Sequence, residues 1–358
     1  MSSASFFRFR LPVRAWCRAG LLVLGAGVLS ACTPESSPAA AGVPATGEPA
    51  PASRGALAGE TSVQPVSIDV CGETVRYDAV PQRAVTHDVN ITEMFLYLGL
   101  GDTLVGYSGI RGNKNVAPQY REQLAGVPEL SRQGMNIEAI VGAHADFVFA
   151  GWSYGFREGE VTPVALREFG IQSYILTESC VRKVARSHVS LEDTFDDMLK
   201  LGRIFRIEQR AQALVEQQRA ELQAITDALK GIESRPGVFV YDGGTDAFTT
   251  SGRFGMPNAM IEAAGGRNIF DDIPSNWPRG NWEDVVERNP EWIVIIDYDH
   301  PGPQGKIDFL RSKPELSEVE AVRRGNFVVL TYAEATPGPS NVARVRTLAQ
   351  AFHPGRMR

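Results

Sequence analysis

Histidine and cysteine are scarce in this chain of 358 residues, which has five of the first and four of the second. His87, His144, His188, His300 and His353 are scattered. No CxxC pair or Cys/His cluster exists, which argues against a zinc or redox site. No HExxH helix and no Walker loop is spelled, and the glycines of "GLGDTLVGYSG" follow a helix rather than a strand, so they are not a dinucleotide fingerprint. Positive charge is in deficit too. With 36 Lys and Arg against 42 Asp and Glu the net charge is −6, which argues against a nucleic-acid partner while leaving room for a local basic pocket.

What is present starts with an export pattern. Arg8, Arg10, Arg14 and Arg18 precede the apolar run "GLLVLGAGVL" (Gly20 to Leu29), which is well short of the about 20 residues that span a bilayer, and "LSAC" follows. This resembles a bacterial lipobox, which implies cleavage before Cys32 and diacylation of its thiol. An ordinary signal peptide or a membrane helix is the plainer alternative. Cleavage removes four arginines and no carboxylate, taking the net charge from −6 to −10. Cys17 leaves with the signal and Cys32 carries lipid, so Cys71 and Cys180 remain as a pair in an oxidising compartment, and a disulfide between them is expected; two isolated buried thiols are the other possibility. Residues 33 to 63, rich in Pro, Ala, Gly, Ser and Thr, lack the large apolar side chains of a core and read as a disordered tether.

The whole chain is 43% hydrophobic, and the remainder shows strand and helix patterns in alternation, enough to bury two lobes. "RAVTHD", "TLVGYSG", "DFVFAG" and "IQSYILT" read as strands, with helices at "NITEMFLYLGLG", "NIEAIVGA" and "VALREFG" between them. Ser190 to Leu229 is the longest helical region. The alternation then restarts with "GVFVYDGG", "MPNAMIEAAGG", "WEDVVERN", "EWIVIIDYD", "KIDFLRSK", "FVVLTYA" and "VARVRTLAQAF". The fold class is α/β, with two Rossmann-like lobes joined by a long helix and a cleft between them. The boundaries are 1–31 for the signal, 32–63 for the tether, 64–200 for the first lobe, 201–235 for the connecting helix and 236–358 for the second lobe.

Ligands of open α/β sheets settle outside the carboxyl ends of the strands. There the sequence concentrates aromatic and basic side chains: Tyr107 and Arg111, then Trp152, Tyr154, Phe156 and Arg157, then Tyr241, Phe248, Arg253 and Phe254, and Trp277, Arg279 and Trp282 in a loop. Each alone is read equally well as packing. Together, π-faces and guanidinium groups at one edge of two sheets suit a bulky anionic chelate. His87 and Asp88 end a strand and are read first as capping or hydrogen-bonding groups.

Four stretches, "PQRAVTHDVNITEMFLYLGLGDTLVGYS", "GMNIEAIVGAHADFVFAG", "GMPNAMIEAAGGRNIF" and "WPRGNWEDVVERNPEWIVIIDYD", resemble the ABC-transporter substrate-binding proteins that capture ferric siderophores, haem and cobalamin. The resemblance implies a rigid connecting helix, little hinge closure, and a Glu on each lobe, Glu138 and Glu283, that docks the permease. It also places an aromatic ligand contact at Trp152. The implied protein is a monomeric, lipid-anchored, exported receptor for a metal chelate, with no catalytic residues, no cofactor and no metal site of its own. Cobalamin or another organic cofactor precursor is the alternative cargo, and an exported α/β enzyme using the same cleft, or a scaffold lipoprotein, the alternative function.

Overall fold

The computed structural model describes residues 64–111, 116–298 and 300–357. The expected signal segment, the lipidation site Cys32 and the tether lie outside the described residues. A hairpin, β1 (Val66–Val70) and β2 (Glu73–Tyr77), opens the described chain. The first lobe follows as β3 (Ala84–His87), α1 (Val89–Tyr97), β4 (Leu104–Ser108), α2 (Pro118–Leu124), β5 (Glu129–Ser131), α3 (Ile137–Gly142), β6 (Phe147–Trp152), β7 (Gly155–Phe156), α4 (Pro163–Glu168) and β8 (Gln172–Ile175). Its sheet is parallel, ordered β5-β4-β3-β6 with β7 and β8 both on β6. The inner strands are continuous apolar runs because helices cover both faces: Phe147, Val148, Phe149 and Ala150 are all buried.

Two helices, α5 (Leu191–Ile204) and α6 (Glu208–Ala228), connect the lobes. The range 201–235 therefore starts in the last turn of α5, and the helical pattern is interrupted at Phe205–Ile207. Arg206 adopts φ 57 there. The amide of Ile207 returns to the carbonyl of Gly202 at 2.8 Å. The two helices touch where Gly202 has no side chain: a Cβ there would sit 2.5 Å from that of Ala211. Apolar residues at helical spacing carry no mark for such a break.

The second lobe comprises β9 (Gly237–Tyr241), β10 (Phe248–Thr249), α7 (Met256–Ala263), β11 (Arg267–Asn268), β12 (Arg279–Gly280), α8 (Trp282–Arg288), β13 (Trp292–Asp297), α9 (Gly302–Ser312), α10 (Glu320–Arg324), β14 (Phe327–Thr331), α11 (Tyr332–Ala335) and α12 (Asn341–Phe352). Its parallel sheet is ordered β11-β9-β13-β14. No helix among the described residues is long and apolar enough to cross a membrane.

Cys71 and Cys180 are bridged, with Cα atoms 5.2 Å apart. The bond ties the β1–β2 turn to the 3-10 helix Thr177–Arg182 and closes a span of 109 residues. Loop-closure entropy alone for a loop of that size is worth about 4.7 kcal/mol. Cys180→Ala is accordingly expected to lower Tm by on the order of 10 °C in calorimetry; a change within about 2 °C would show that the hairpin docks without its tether.

Candidate binding cleft

The carboxyl ends of both parallel sheets open onto two adjoining chambers. On the first-lobe side, a cavity of about 400 Å³ is lined by His87 and Asp88 after β3, Arg111 after β4, and Ser153, Arg157 and Glu160 after β6. His87 is fixed from three sides. Its Nδ1 is 2.8 Å from Ser108 Oγ. Gly109 and Gly155 clasp the ring, since a Cβ would come within 2.5 Å of it at the first and 2.8 Å at the second. Both glycines also have positive φ, 77° and 112°, which costs other residues more. Asp88 caps α1 by accepting from the Val89 amide at 2.8 Å.

On the second-lobe side, a cavity of about 320 Å³ is lined by Tyr241, Asp242, Tyr298, His300, Lys306 and Phe309. Lys306 is buried, and its ammonium donates to the carbonyls of Asp242 and Ile296 while lying 4.8 Å from the Tyr298 ring. Two tyrosines form the wall between the chambers, with ring centroids 5.2 Å apart, edge to face. Tyr298 Oη donates to Asp242 at 2.9 Å within its own lobe, and Tyr332 Oη donates to Asp88 of the other lobe at 2.9 Å. Burial holds the Tyr332 phenol well above its ordinary pKa, and Asp88 beside it pushes the same way.

Of the side chains expected in the cleft, Arg111 and Arg157 line the first chamber and Tyr241 the second. Tyr154 is buried behind the wall and accepts from Trp277 Nε1 at 3.3 Å, a contact between the lobes. Tyr107 packs half-buried against the main core near Glu129 and Arg132. Arg253 is exposed and donates to the Asp271 carbonyl at 2.7 Å, and Arg279 is exposed on β12. Trp152 lines a separate depression of about 750 Å³ beside Cys71, with the Lys183 ammonium 3.8 Å over its ring. Sequence reasoning missed Tyr298, Lys306 and Tyr332; the signal available for the two tyrosines was their position just past the apolar runs "WIVII" and "FVVL". It also passed over Gly151–Gly155, which spells the G-x-S-x-G of a nucleophile elbow. In the structure this is a tight turn with Ser153 at φ 70, returning to Gly151 through an antiparallel bridge, and no helix follows the serine as an elbow requires.

Residues 85–333, from β3 to α11, match the family model described as periplasmic binding protein, and that span holds both sheets and every lining residue named above. The chain belongs to the periplasmic binding protein family. Among relatives, the vitamin B12-binding protein of Photorhabdus laumondii is 27% identical over 219 residues, covering 61% of this chain and 71% of its own length. That of Pectobacterium atrosepticum is 26% identical, covering 61% and 72%. A periplasmic binding protein from Veillonella parvula superposes with a TM-score of 0.71 at 27% identity, over 81% of this chain and 98% of its own. The ABC-type Fe3+-hydroxamate transport protein of Saccharomonospora viridis shares the fold at 23% identity, with a TM-score of 0.70 over 81% and 100%. These relatives are named as binding or transport proteins, not as enzymes. Among the described residues no group of three or more His, Cys, Asp or Glu side chains could hold a metal ion.

Like its two sheets, the family member's two lobes repeat one local device. Glu138 is exposed in the first turn of α3, capped by Asn136, whose side chain accepts from Ala139 at 2.7 Å. Glu283 is exposed in the first turn of α8, capped by Asn281, whose side chain accepts from Asp284 at 2.9 Å.

Proposed function

We propose that this chain is the lipid-anchored receptor of an ABC importer, taking a metal chelate, such as a ferric siderophore, haem or a corrinoid, into the cleft and delivering it to the permease. The observation that carries the reading is the pair of chambers at facing strand ends, one polar with two arginines, the other walled by Tyr241, Tyr298 and Phe309. Guanidinium groups suit the carboxylates or hydroxamates at the rim of such ligands, and tyrosine rings suit their flat faces. The names of the relatives support the same class of cargo. Anchoring through Cys32 rests on the lipobox pattern, and the receptor acts as a monomer without a cofactor.

The test is a titration of the full chain, purified in mild detergent, with cyanocobalamin, haemin and a ferric hydroxamate, read by intrinsic fluorescence. Saturable quenching by one of them at micromolar concentration or below is the expected result, with Trp282, whose ring packs on Tyr241 and Phe309 of the second chamber, and Trp277 at the lobe contact as indole reporters. A flat response to all three would overturn the chelate reading.

A further inference from the structure

The two chambers are separated by the Tyr298–Tyr332 pair, and Tyr332 belongs to one lobe while being bonded to the other. Tyr332 starts α11 in the second lobe, yet its hydroxyl is on Asp88 of the first, 244 residues away in sequence. Its ring also meets Tyr298, which lines the second chamber. Sites for drug-sized ligands run to about 300–1,000 Å³. At about 400 and 320 Å³, each chamber alone is at the bottom of that range. A macrocyclic or hexadentate metal chelate is larger than a drug-sized ligand and needs both.

We propose that Tyr332 is a movable partition, latched across the cleft to Asp88 and displaced when a ligand spans the two chambers. The ligand therefore competes with the latch, whereas a small molecule that fills one chamber leaves it closed.

The main chain around Tyr332 is held in place, so the side chain is the part that moves. Thr331 and Glu334 form a capping box at the start of α11. Asn341 Nδ2 donates to the carbonyls of Glu334 and Thr336 at 3.0 and 2.9 Å, and Asn90 of the first lobe donates to the Pro337 carbonyl at 2.8 Å. A side-chain rotation needs none of these bonds to break.

This inference rests on the chelate reading for its ligand, and its test separates the two. Tyr332→Phe keeps the ring and removes the latch. It should bind whichever of cyanocobalamin, haemin or ferric hydroxamate the wild type binds about tenfold more tightly, a change of about 1.4 kcal/mol; unchanged or weaker binding overturns the partition and leaves the receptor reading intact. The second readout needs no ligand. In the full chain labelled with 3,5-difluorotyrosine, whose symmetric ring averages flips, the 19F resonance that Tyr332→Phe removes should be doubled or exchange-broadened between latched and swung positions. If none of the probes binds but that resonance is doubled, the chelate reading fails and the partition stands. A single sharp resonance that no probe shifts overturns it.

Discussion

Lowering the pH from 8 to 5 is expected to raise the stability of this protein, whereas acidification destabilises most folds through carboxylates that are paired in the native state. Among the buried carboxyl groups of the described residues, Glu93, Glu178 and Asp197 have raised pKa values, and burial is the largest influence on each of these. It pushes Glu178 to about 8, against the partial relief given by the Tyr154 hydroxyl, Arg182 and Arg186. It pushes Asp197 to about 7 in spite of the hydrogen bonds from Thr177 and Tyr174. Glu93 is likewise raised to about 7, with the Ala117 amide pulling down and Glu334 pushing further up.

The sign follows from proton counting. Below about pH 4 these groups are protonated in folded and unfolded chain alike and contribute nothing. Between there and pH 7 to 8 the folded chain keeps protons that the unfolded chain has released, so stability falls as pH rises and the full cost is present above the folded values. For Glu178, at about 1.4 kcal/mol per pH unit, this amounts to an upper bound of roughly 4–5 kcal/mol. Carboxylates pulled the other way, such as Asp272 beside Arg288, are exposed and screened, so they offset little. Thermal unfolding should therefore give a Tm higher at pH 5 than at pH 8 by on the order of 10 °C. Glu178→Gln, which never ionises, should raise Tm at pH 8 and remove roughly a third to two fifths of the slope, leaving the share of Asp197 and Glu93. A Tm that falls on acidification from 8 to 5 would mean that these carboxylates are ionised and solvated in the native state.

The difference between what spacing and what packing reveal is clear in the same region. Strands β6, β9 and β13 were legible because a parallel strand covered on both faces is an unbroken apolar run. The β1–β2 hairpin was missed although "VSIDV" and "TVRY" alternate apolar and polar residues, with Ile68, Val70 and Tyr77 buried, which is the period of a strand covered on one face. Arg111 and Arg157 could be assigned to the cleft from the strand-end rule. Trp152 could not be separated from Ser153 in that way: adjacent residues at a strand end face opposite sides, and the left-handed turn at Ser153 decides which one meets the chamber. The Asp88–Tyr332 bond was out of reach of any local pattern, since it joins two lobes whose relative placement depends on α5 and α6.

Reversing both surface glutamates, Glu138→Arg with Glu283→Arg, is expected to leave chelate affinity within about twofold and to reduce uptake through the permease to background. Helices in parallel α/β units run back from the carboxyl ends of the strands, so the first turns of α3 and α8 lie on the edge of each sheet where the chambers open. A permease facing that edge meets one carboxylate per lobe beside the mouth from which the ligand must leave. Neither carboxylate lines a chamber, which is why affinity should hold. Stability should hold as well, because an exposed charge in a first helical turn is worth only about 0.3–1 kcal/mol. Docking should not: on the docking role that the resemblance implies, each carboxylate meets a basic group of the permease, and turning both pairs into like-charge contacts costs several kcal/mol at each site, enough to lower complex formation by more than about 1,000-fold. Measuring binding by fluorescence and uptake in permease proteoliposomes on the same preparation separates the outcomes. A loss of affinity would place these residues at the ligand, and undiminished uptake would move the docking surface elsewhere.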